Sequence, residues 1–440
     1  MMRTAICGAI FAALFVPPTT LAQTGTTVTS PASATSLNLT LQQAEQIALK
    51  NHPRLQEAQL SAAAAGELTT EVRSAYYPTI SANFTGVVAE SDSRIAAGAL
   101  NNPIIYNRYS NGLELDQLVT DFGRTHNLVA SARLKAQAAR SGVQVTHADV
   151  LLEVDTAYFS VLRSQAVLNV ARQTVQERQT VVDQVSTLTA NKLKSGLDLS
   201  FAQVTLSQAQ LLLTQATNDL QSSYADLSTA LGNANQQTFT LAEEPGPVEP
   251  LSDVQQTIAE ALQNRPELAQ QGFDVDAAKR FAIAERDLYF PTLSVLGDAG
   301  ITPYRQDPLT DRYAAAGFNL NLPIFEGHLF GARRAEADLR AQGESQALRD
   351  LKDRIVRDVR RAWLNANNAY QNLDLTAQLL AQADKALDLS QARYKLGLSS
   401  IVELSQAQLN DAEARIQQAT AKYNYQAQLS ALRYQEGLLR

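Results

Sequence analysis

The residues most able to do covalent chemistry are few and scattered in this chain of 440 residues. None of the four histidines has a cysteine, histidine or carboxylate at the spacing of a metal site; they are His52, His126, His147 and His328. There is neither a glycine-rich phosphate-binding loop nor the nucleophile elbow of a serine hydrolase. The adjacent acids Glu243 and Glu244 are interpreted as solvated linker. The sequence therefore predicts no enzyme, no metal and no cofactor.

The charge balance argues against a second class of function. The chain has 37 Lys and Arg residues against 44 Asp and Glu residues, a formal net charge of −7. A surface that binds phosphates needs a basic patch, and none is visible in the sequence. We therefore expect no nucleic acid partner.

Two short segments that contain glycine are better candidates for a binding site. They are Lys194-Ser195-Gly196-Leu197 and Lys395-Leu396-Gly397-Leu398, and each separates two predicted helices. Because glycine tolerates a positive φ, we expect Gly196 and Gly397 to reverse the chain. A turn that meets only water would favour polar residues, whereas both segments contain leucines. The leucines favour contact with another protein; the alternative is that the segments only cap helices.

The N-terminus is typical of an export signal. Arg3 precedes a short apolar stretch from Ala5 to Val16, and Thr20-Leu21-Ala22 offers a cleavage site. The stretch is too short to cross a bilayer as a helix. Residues 1–22 are therefore predicted to be a signal peptide, and residues 23–39 an extended segment. Cys7, the only cysteine, would leave with the signal.

The rest of the chain is predicted to be two copies of one repeat. Short matches recur in the same order, among them Thr40 to Leu55 with Ser252 to Leu268, and Lys194 to Leu197 with Lys395 to Leu398. The sequence predicts a first repeat over 40–238, a linker over 239–251 and a second repeat over 252–440.

Each repeat is predicted to contain a helix, two strands, a very long helix, a tight turn and another helix. The first helix is expected from about Thr40 to Ala75, with Thr40 as its N-cap. No proline lies between Gly123 and Pro245, so residues 124–194 can form one helix of ~70 residues, roughly 105 Å long. The next helix has apolar residues at alternating steps of four and three, which is typical of a coiled coil.

The predicted strands have two distinct faces. Ser81, Asn83, Asn319 and Asn321 lie on the polar face. Four strands cannot close a barrel, and open strand edges are not tolerated in lipid. The chain must therefore oligomerise if the strands span a membrane, either as a dimer with eight strands or as a trimer with twelve. The apolar residues would then face lipid: Ile80, Phe84, Val88, Phe318, Leu320 and Leu322.

These features together resemble the TolC family of outer-membrane efflux channels. The resemblance covers essentially the whole mature chain, and the segment from Tyr394 to Leu409 is its most specific part. It implies a mainly α fold with a small β part. The expected architecture is a TolC-like α-helical barrel of long coiled-coil helices plus a transmembrane β-barrel, with four strands per chain and twelve in a homotrimer.

The resemblance also implies a location and partners. The chain would lie in the outer membrane, in contact with its lipid, with a long periplasmic helical extension. Its helical tips, residues 194–197 and 395–398, would dock a periplasmic adaptor that belongs to an inner-membrane transporter. The chain would then be the passive exit duct of a tripartite pump that exports small molecules.

The resembling channels close their periplasmic entrance with residues just inside the second tip. Tyr394 matches an aromatic residue that helps to hold the entrance closed, and Glu403 matches the first of two acids that ring it. Gln406 replaces the second acid, and Ser399 stands where an arginine might be expected. A single ring of Glu403 side chains would favour cations, because a narrow mouth focuses charge.

Two alternatives to the efflux duct remain open. The same fold could serve as the exit duct of a type I protein secretion system, which the sequence does not separate from efflux. A protein of a different class, a non-conducting periplasmic coiled-coil structural trimer, would not need the alternating strands or the leucines at the tips.

Overall fold

The computed structural model describes residues 38–90, 105–235, 239–243, 251–306 and 309–439. The predicted signal peptide, most of the segment 23–39 and most of the linker 239–251 lie outside these residues. The described elements belong to one unit of the chain, Asn38–Arg440.

The same order of elements occurs twice along the chain. The first series is β1 (Asn38–Leu39), α1 (Leu41–Asn51), α2 (Pro53–Arg73), β2 (Thr79–Val87), β3 (Arg108–Thr120), α3 (Arg124–Ala190) and α4 (Gly196–Ala230). The second is β4 (Thr240–Leu241), α5 (Val254–Asn264), α6 (Pro266–Arg286), β5 (Thr292–Arg305), β6 (Arg312–Asn321), α7 (Leu329–Lys395) and α8 (Ile401–Glu436). No helix among the described residues is both long and apolar enough to cross a membrane.

The predicted single helix from Thr40 to Ala75 is wrong, because the structure divides it into α1 and α2. Thr40 does cap α1: its Oγ1 accepts a hydrogen bond from the N–H of Gln43 over 3.2 Å. The break falls at His52, which is extended and caps α2, with Pro53 as the first residue of α2. Proline has no N–H to continue a helix, and its ring forces the preceding residue out of the helical region.

Helices α3 and α7 contain 67 residues each, so each is about 100 Å long. Towards the strands, α2, α3, α6 and α7 pack side by side in that order. On the side of the short helices α1 and α5 that leads away from the strands, the helices pack in the order α4, α3, α8 and α7. Many of the side chains between these helices are alanines, which let the helix axes approach closely; Ala202, Ala209 and Ala216 are examples on α4.

The four long strands form an antiparallel sheet in the order β2-β3-β5-β6. Their register places the apolar side chains of the strands on one face, since Ile80 pairs with Leu115 and Val295 pairs with Phe318. The opposite face is polar, and the Asn83 side chain donates a hydrogen bond to Glu114 there over 2.7 Å. The structure therefore has the two-faced sheet that the sequence predicts.

The short strands β1 and β4 pair in parallel where the two series meet. The Tyr158 hydroxyl on α3 lies 2.9 Å from the Leu39 carbonyl and 2.6 Å from the Ala242 carbonyl, which holds this pair against the long helix. Glu243 is exposed, as expected of a solvated linker acid, but it has partners on α8. The Tyr423 hydroxyl and the Lys422 ammonium of α8 both donate to it, over 2.5 and 3.1 Å.

Candidate functional site: the packed ends of two helical hairpins

The first hairpin turn, between α3 and α4, does not use its glycine to reverse the chain. Lys192 takes the left-handed conformation, with φ 59°, and the N–H of Leu193 donates to the Leu188 carbonyl over 2.9 Å. Ser195 and Asp198 then form a capping box, so that α4 begins at Gly196 with ordinary helical geometry. The prediction that Gly196 supplies a positive φ is therefore wrong, because the residue with the positive φ is Lys192, four residues earlier.

The second turn, between α7 and α8, behaves as predicted. Gly397 has φ 75°, and the N–H of Leu398 donates to the Arg393 carbonyl over 2.8 Å. Ser400 is the N-cap of α8, since its hydroxyl accepts a hydrogen bond from the N–H of Glu403 over 3.3 Å. This is the Schellman ending that glycine favours, because it has no Cβ to strain a positive φ.

The structures of the two turns give a different alignment of their residues from the one that the sequence suggested. Because α3 and α7 have equal lengths, Gly397 corresponds to Lys192 and not to Gly196, so the match of 194–197 with 395–398 is out of register. The N-caps Ser195 and Ser400 correspond, and so do the acids Asp198 and Glu403 three residues further on. Asp198 is therefore a site residue that the sequence reasoning missed. The Ser-x-x-acid pattern at both turns was the signal for it.

A buried apolar cluster joins the two hairpins just inside these turns. Tyr394, near the end of α7, is a member of this cluster and is only 7% exposed. The Lys194 ammonium of the first turn lies 4.1 Å from the centre of the Tyr394 ring, a cation–π contact. The other buried members are Val185, Ala202, Leu387, Ile401, Leu404 and Ala407. Tyr394 therefore connects the two turns through its ring.

The Tyr394 hydroxyl is buried and has no hydrogen-bond partner among the described residues. Burial raises the pKa of Tyr394, and the nearby Asp198 carboxylate adds to this shift. The hydroxyl is therefore neutral, and the contribution of Tyr394 to the packing of the turns comes mainly from its ring. The Ser399 hydroxyl is likewise buried without a partner in the described part of the chain.

Glu403 is paired with a residue that the sequence analysis did not single out. The Arg393 Nε lies 3.4 Å from Glu403 Oε1, and its Nη2 lies 3.4 Å from the Leu398 carbonyl. Both side chains are about half exposed, so their pair is accessible to water. Gln406 donates to Asn410 on the same helix over 2.9 Å. Glu403 is thus an acid compensated by a neighbouring cation.

The outer surface of both turns is apolar and exposed. Leu398 is 67% exposed, and the other leucines of the turns are exposed to a similar extent: Leu193, Leu197 and Leu396. Leu193 corresponds to Leu398 and was not among the predicted residues. Ser195, Gly196, Lys395 and Gly397 are also exposed, whereas Lys194 is half-buried against Tyr394.

The other histidines and acids of the described residues form no metal site. In the described ranges no group of three His, Cys, Asp or Glu residues could hold a metal ion. His52, for example, has a structural role, because its Nδ1 accepts a hydrogen bond from the N–H of Arg54 over 3.2 Å.

The fold and these turns define a class of protein: a subunit of paired long helices and a two-faced sheet whose apolar side chains are exposed. The family model described as "Outer membrane efflux protein" matches residues 44–233 and 257–436, one match in each series of elements. The chain therefore belongs to the outer membrane efflux protein family. Members of this family are efflux channels of the outer membrane, not enzymes. The predicted TolC-like fold and outer-membrane location, with a long periplasmic helical extension, are confirmed.

Particular relatives agree with this assignment. The chain is 24% identical to the outer membrane protein TolC of Escherichia coli K12 over 405 residues, which cover 88% of this chain and 79% of that protein. It is 28% identical over 300 residues to the cobalt-zinc-cadmium resistance protein CzcC of Cupriavidus metallidurans, covering 66% and 67%.

Solved structures show the same fold. A membrane protein from Pseudomonas aeruginosa superimposes with a TM-score of 0.81 at 21% identity, covering 90% of both chains. The open state of the Neisseria gonorrhoeae MtrE outer membrane channel gives 0.74 at 20% identity, covering 90% of this chain and 89% of that one.

Proposed function

We propose that three copies of this chain form a closed ring that is the exit channel of a tripartite pump for small molecules. The main observation behind the proposal is that both the sheet and the row of helices end in unpaired edges. In the sheet, β2 and β6 each have only one neighbouring strand among the described residues. In the helical part, α7 is the last helix on one side, and α2 or α4 is the last on the other.

Edges that differ from each other favour head-to-tail contact, which closes into a ring. The edge of β6 in one copy would pair with β2 of the next, so that no backbone group is left open to lipid. Helix α7 of one copy would pack against α2 and α4 of the next in the same way. The apolar sheet face, with Phe84 and Phe318, would then contact outer-membrane lipid, while the face with Asn83 would line a wet lumen.

Near the turns, helices α4 and α7 have stripes of exposed apolar residues suited to such a contact. On α4, Leu197, Val204 and Leu211 recur every seven residues and are exposed. They are offset by two residues from the buried Ala202 and Ala209, and therefore point away from α3. Along α7 and its C-cap, the exposed Leu389 and Leu396 are likewise offset by two from the buried Leu387 and Tyr394, and the exposed Leu375 lies two heptads before Leu389. Two seams of heptad spacing thus face outward at opposite ends of the row of helices.

The sheet supports three copies rather than two. Two copies would give eight strands, whose interior is filled by side chains or holds a single small ligand. Three copies would give twelve strands, which leave room for a wet passage. Because each chain contains two similar series of elements, a trimer also forms a nearly sixfold ring of paired helices.

The packed turns are proposed to be the periplasmic entrance and the site that docks a periplasmic adaptor. The exposed leucines at Leu193, Leu197, Leu396 and Leu398 give that surface its apolar character. The adaptor would connect the ring to an inner-membrane transporter, which supplies the energy, so the chain itself would be a passive duct. Known relatives are named for different cargo, such as pyoverdine export in OpmQ of Pseudomonas aeruginosa. We therefore assign small molecules as a class.

Ring formation can be tested on the purified protein. Leu211→Glu places a charge in the α4 stripe and should abolish the trimer in native mass spectrometry and the pores in planar bilayers. Gln210→Glu, one residue away on an exposed position, is the matched control and should leave both intact. A Leu211→Glu protein that remains trimeric would contradict the proposed seam.

Export and docking are tested in cells. Deletion of the gene should sensitise the host to toxic compounds, and loss of secreted proteins instead would favour a protein secretion duct. Leu398→Asp should keep the trimer and its conductance but lose export and crosslinking to the adaptor. Leu438→Asp, at an exposed leucine near the other end of α8, is the control. Normal export and crosslinking by Leu398→Asp would refute docking at this turn.

A further inference from the structure

A cluster of charged side chains joins three helices about three to four helical turns away from the packed ends of the hairpins. Its centre is Arg415 of α8, whose guanidinium contacts three carboxylates. Nε lies 2.9 Å from Asp411 on the same helix, Nη1 lies 3.0 Å from Glu177 on α3, and Nη2 lies 3.3 Å from Asp384 on α7. Arg415 thereby bridges the two hairpins farther from the turns than the apolar cluster around Tyr394.

A second arginine strengthens the same junction. Arg178 of α3 is almost completely buried, and its Nη2 donates to the Gln408 carbonyl of α8 over 2.7 Å. Its buried charge is balanced by the neighbouring Glu177 and Asp411. Helix α4 adds no charge here, since the residues it contributes to the adjacent cavity are uncharged; they are Thr205, Gln208, Ala209 and Leu212.

Asp411 is the member of the cluster that is not satisfied as an ionised group. It is only 1% exposed, and its Oδ1 is buried without a hydrogen-bond donor among the described residues. The side chain that faces Asp411 from α7 is another carboxyl, that of Asp384, since both acids contact the same Arg415 guanidinium. Two carboxylates repel each other, whereas one proton between them makes a hydrogen bond.

We infer that Asp411 and Asp384 share a proton and that this pair is a pH-sensitive clasp between α8 and the helices α7 and α3. The cluster contains two guanidinium groups and three carboxyl groups, so one bound proton brings its net charge to zero. Loss of that proton leaves an excess negative charge on and around the buried Asp411 and weakens the clasp. The consequence for the entrance rests on the proposed channel function.

The direction of the pH effect follows from the surroundings of Asp411. Burial and, to a smaller extent, the facing Asp384 raise the pKa of Asp411 from 3.8 to about 6, although Arg415 opposes the shift. The closed clasp therefore binds the proton more tightly than a solvated Asp411 would. Its stability is greatest at acidic pH and falls as the pH rises towards about 6, above which the loss is complete.

The expected effect can be calculated from these two pKa values. If Asp411 returns to its ordinary pKa when the clasp opens, the opening equilibrium should increase about tenfold between about pH 5 and about pH 7.5. Hydrogen–deuterium exchange of the α8 amides from 404 to 415 measures this opening in the purified protein. The exchange rates of the wild type should be compared with those of Asp411→Asn at each pH, because the ratio removes the intrinsic pH dependence of exchange.

The wild-type rate should exceed that of Asp411→Asn by a ratio that grows about tenfold between the two pH values. Asp384→Asn removes the facing carboxyl and should reduce the growth, because only burial then raises the pKa of Asp411. This variant covers the case in which Asp411→Asn fails to fold. Asp374→Asn, at an exposed acid on the same helix α7, is the matched control and should retain the wild-type pH dependence. A ratio that stays constant with pH would overturn the clasp.

Exchange does not depend on conduction, so the two proposals can fail separately. A wild-type protein that forms no pore at either pH would contradict the channel, while the exchange ratio would still decide the clasp. If both hold, pore conductance in bilayers should rise towards neutral pH in the wild type and be insensitive to pH in Asp411→Asn.

Discussion

Replacing Tyr394 with alanine should loosen the packed ends of the two hairpins, whereas replacing it with phenylalanine should not. The ring lies in the apolar cluster and supports the Lys194 ammonium at 4.1 Å. The hydroxyl is buried without a partner among the described residues. The structure therefore assigns the role of Tyr394 to its ring and not to its hydroxyl.

The size of the effect follows from burial. Truncation of a buried aromatic side chain to alanine costs about 3–5 kcal/mol, and the lower end applies here because water can enter a cavity near the turns. Since each 1.4 kcal/mol is about a factor of ten, local opening of the cluster should increase ~100-fold. Removal of an unsatisfied hydroxyl in Tyr394→Phe should change stability by about 1 kcal/mol or less.

Single-channel recording and hydrogen exchange of residues 387–407 provide the assay. Tyr394→Ala should show higher conductance or longer openings and faster exchange at the ends of α7 and α8. Tyr394→Phe should resemble the wild type in both measurements. If Tyr394→Phe opened the channel as strongly as Tyr394→Ala, a hydrogen bond from the hydroxyl would hold the entrance, and the reasoning from ring packing would be refuted.

Three further predictions concern the strands, the entrance charge and the turns. Phe318→Lys should impair assembly into the outer membrane, with a cost of about 2–4 kcal/mol at the bilayer centre, whereas Asn319→Lys on the other face should assemble, as heat-modifiable mobility on gels would show. Glu403→Gln should lower the cation preference of single channels and Arg393→Gln should raise it, because the two charges form one pair; shifts in the same direction would contradict this. Gly397→Ala should destabilise the second turn by about 1 kcal/mol because of its positive φ, while Gly196→Ala should be nearly neutral in thermal unfolding.

Local patterns predicted most of the elements but not all of their limits. The alternation around Ile80 and Phe318 is local, and the strands lie where it occurs. The first helix was predicted too long, because apolar spacing continues across Pro53 although the backbone cannot. The proline itself was the available signal, and the same break occurs before Pro266.

The first turn shows how a correct motif can be placed in the wrong register. Both segments contain Gly-Leu, so matching by identity aligned Gly196 with Gly397. In the structure the chain reverses at Lys192, a residue that carries no conformational signature of its own. The capping pair Ser195 and Asp198 fixes where α4 begins, and side-chain capping is a stronger determinant of a helix start than the identity of a nearby glycine.

The sequence by itself determined the duplication, the two-faced strands and the uninterrupted long helices, because each depends on spacing within one segment. Only the tertiary structure decided which side chains meet across segments. The contact of Lys194 with Tyr394, the pair of Arg393 with Glu403 and the cluster around Arg415 join residues of different helices or of opposite arms of a turn. Such contacts depend on the relative register of packed helices, which is set by the fit of their side chains over the whole length and is not encoded in any one stretch.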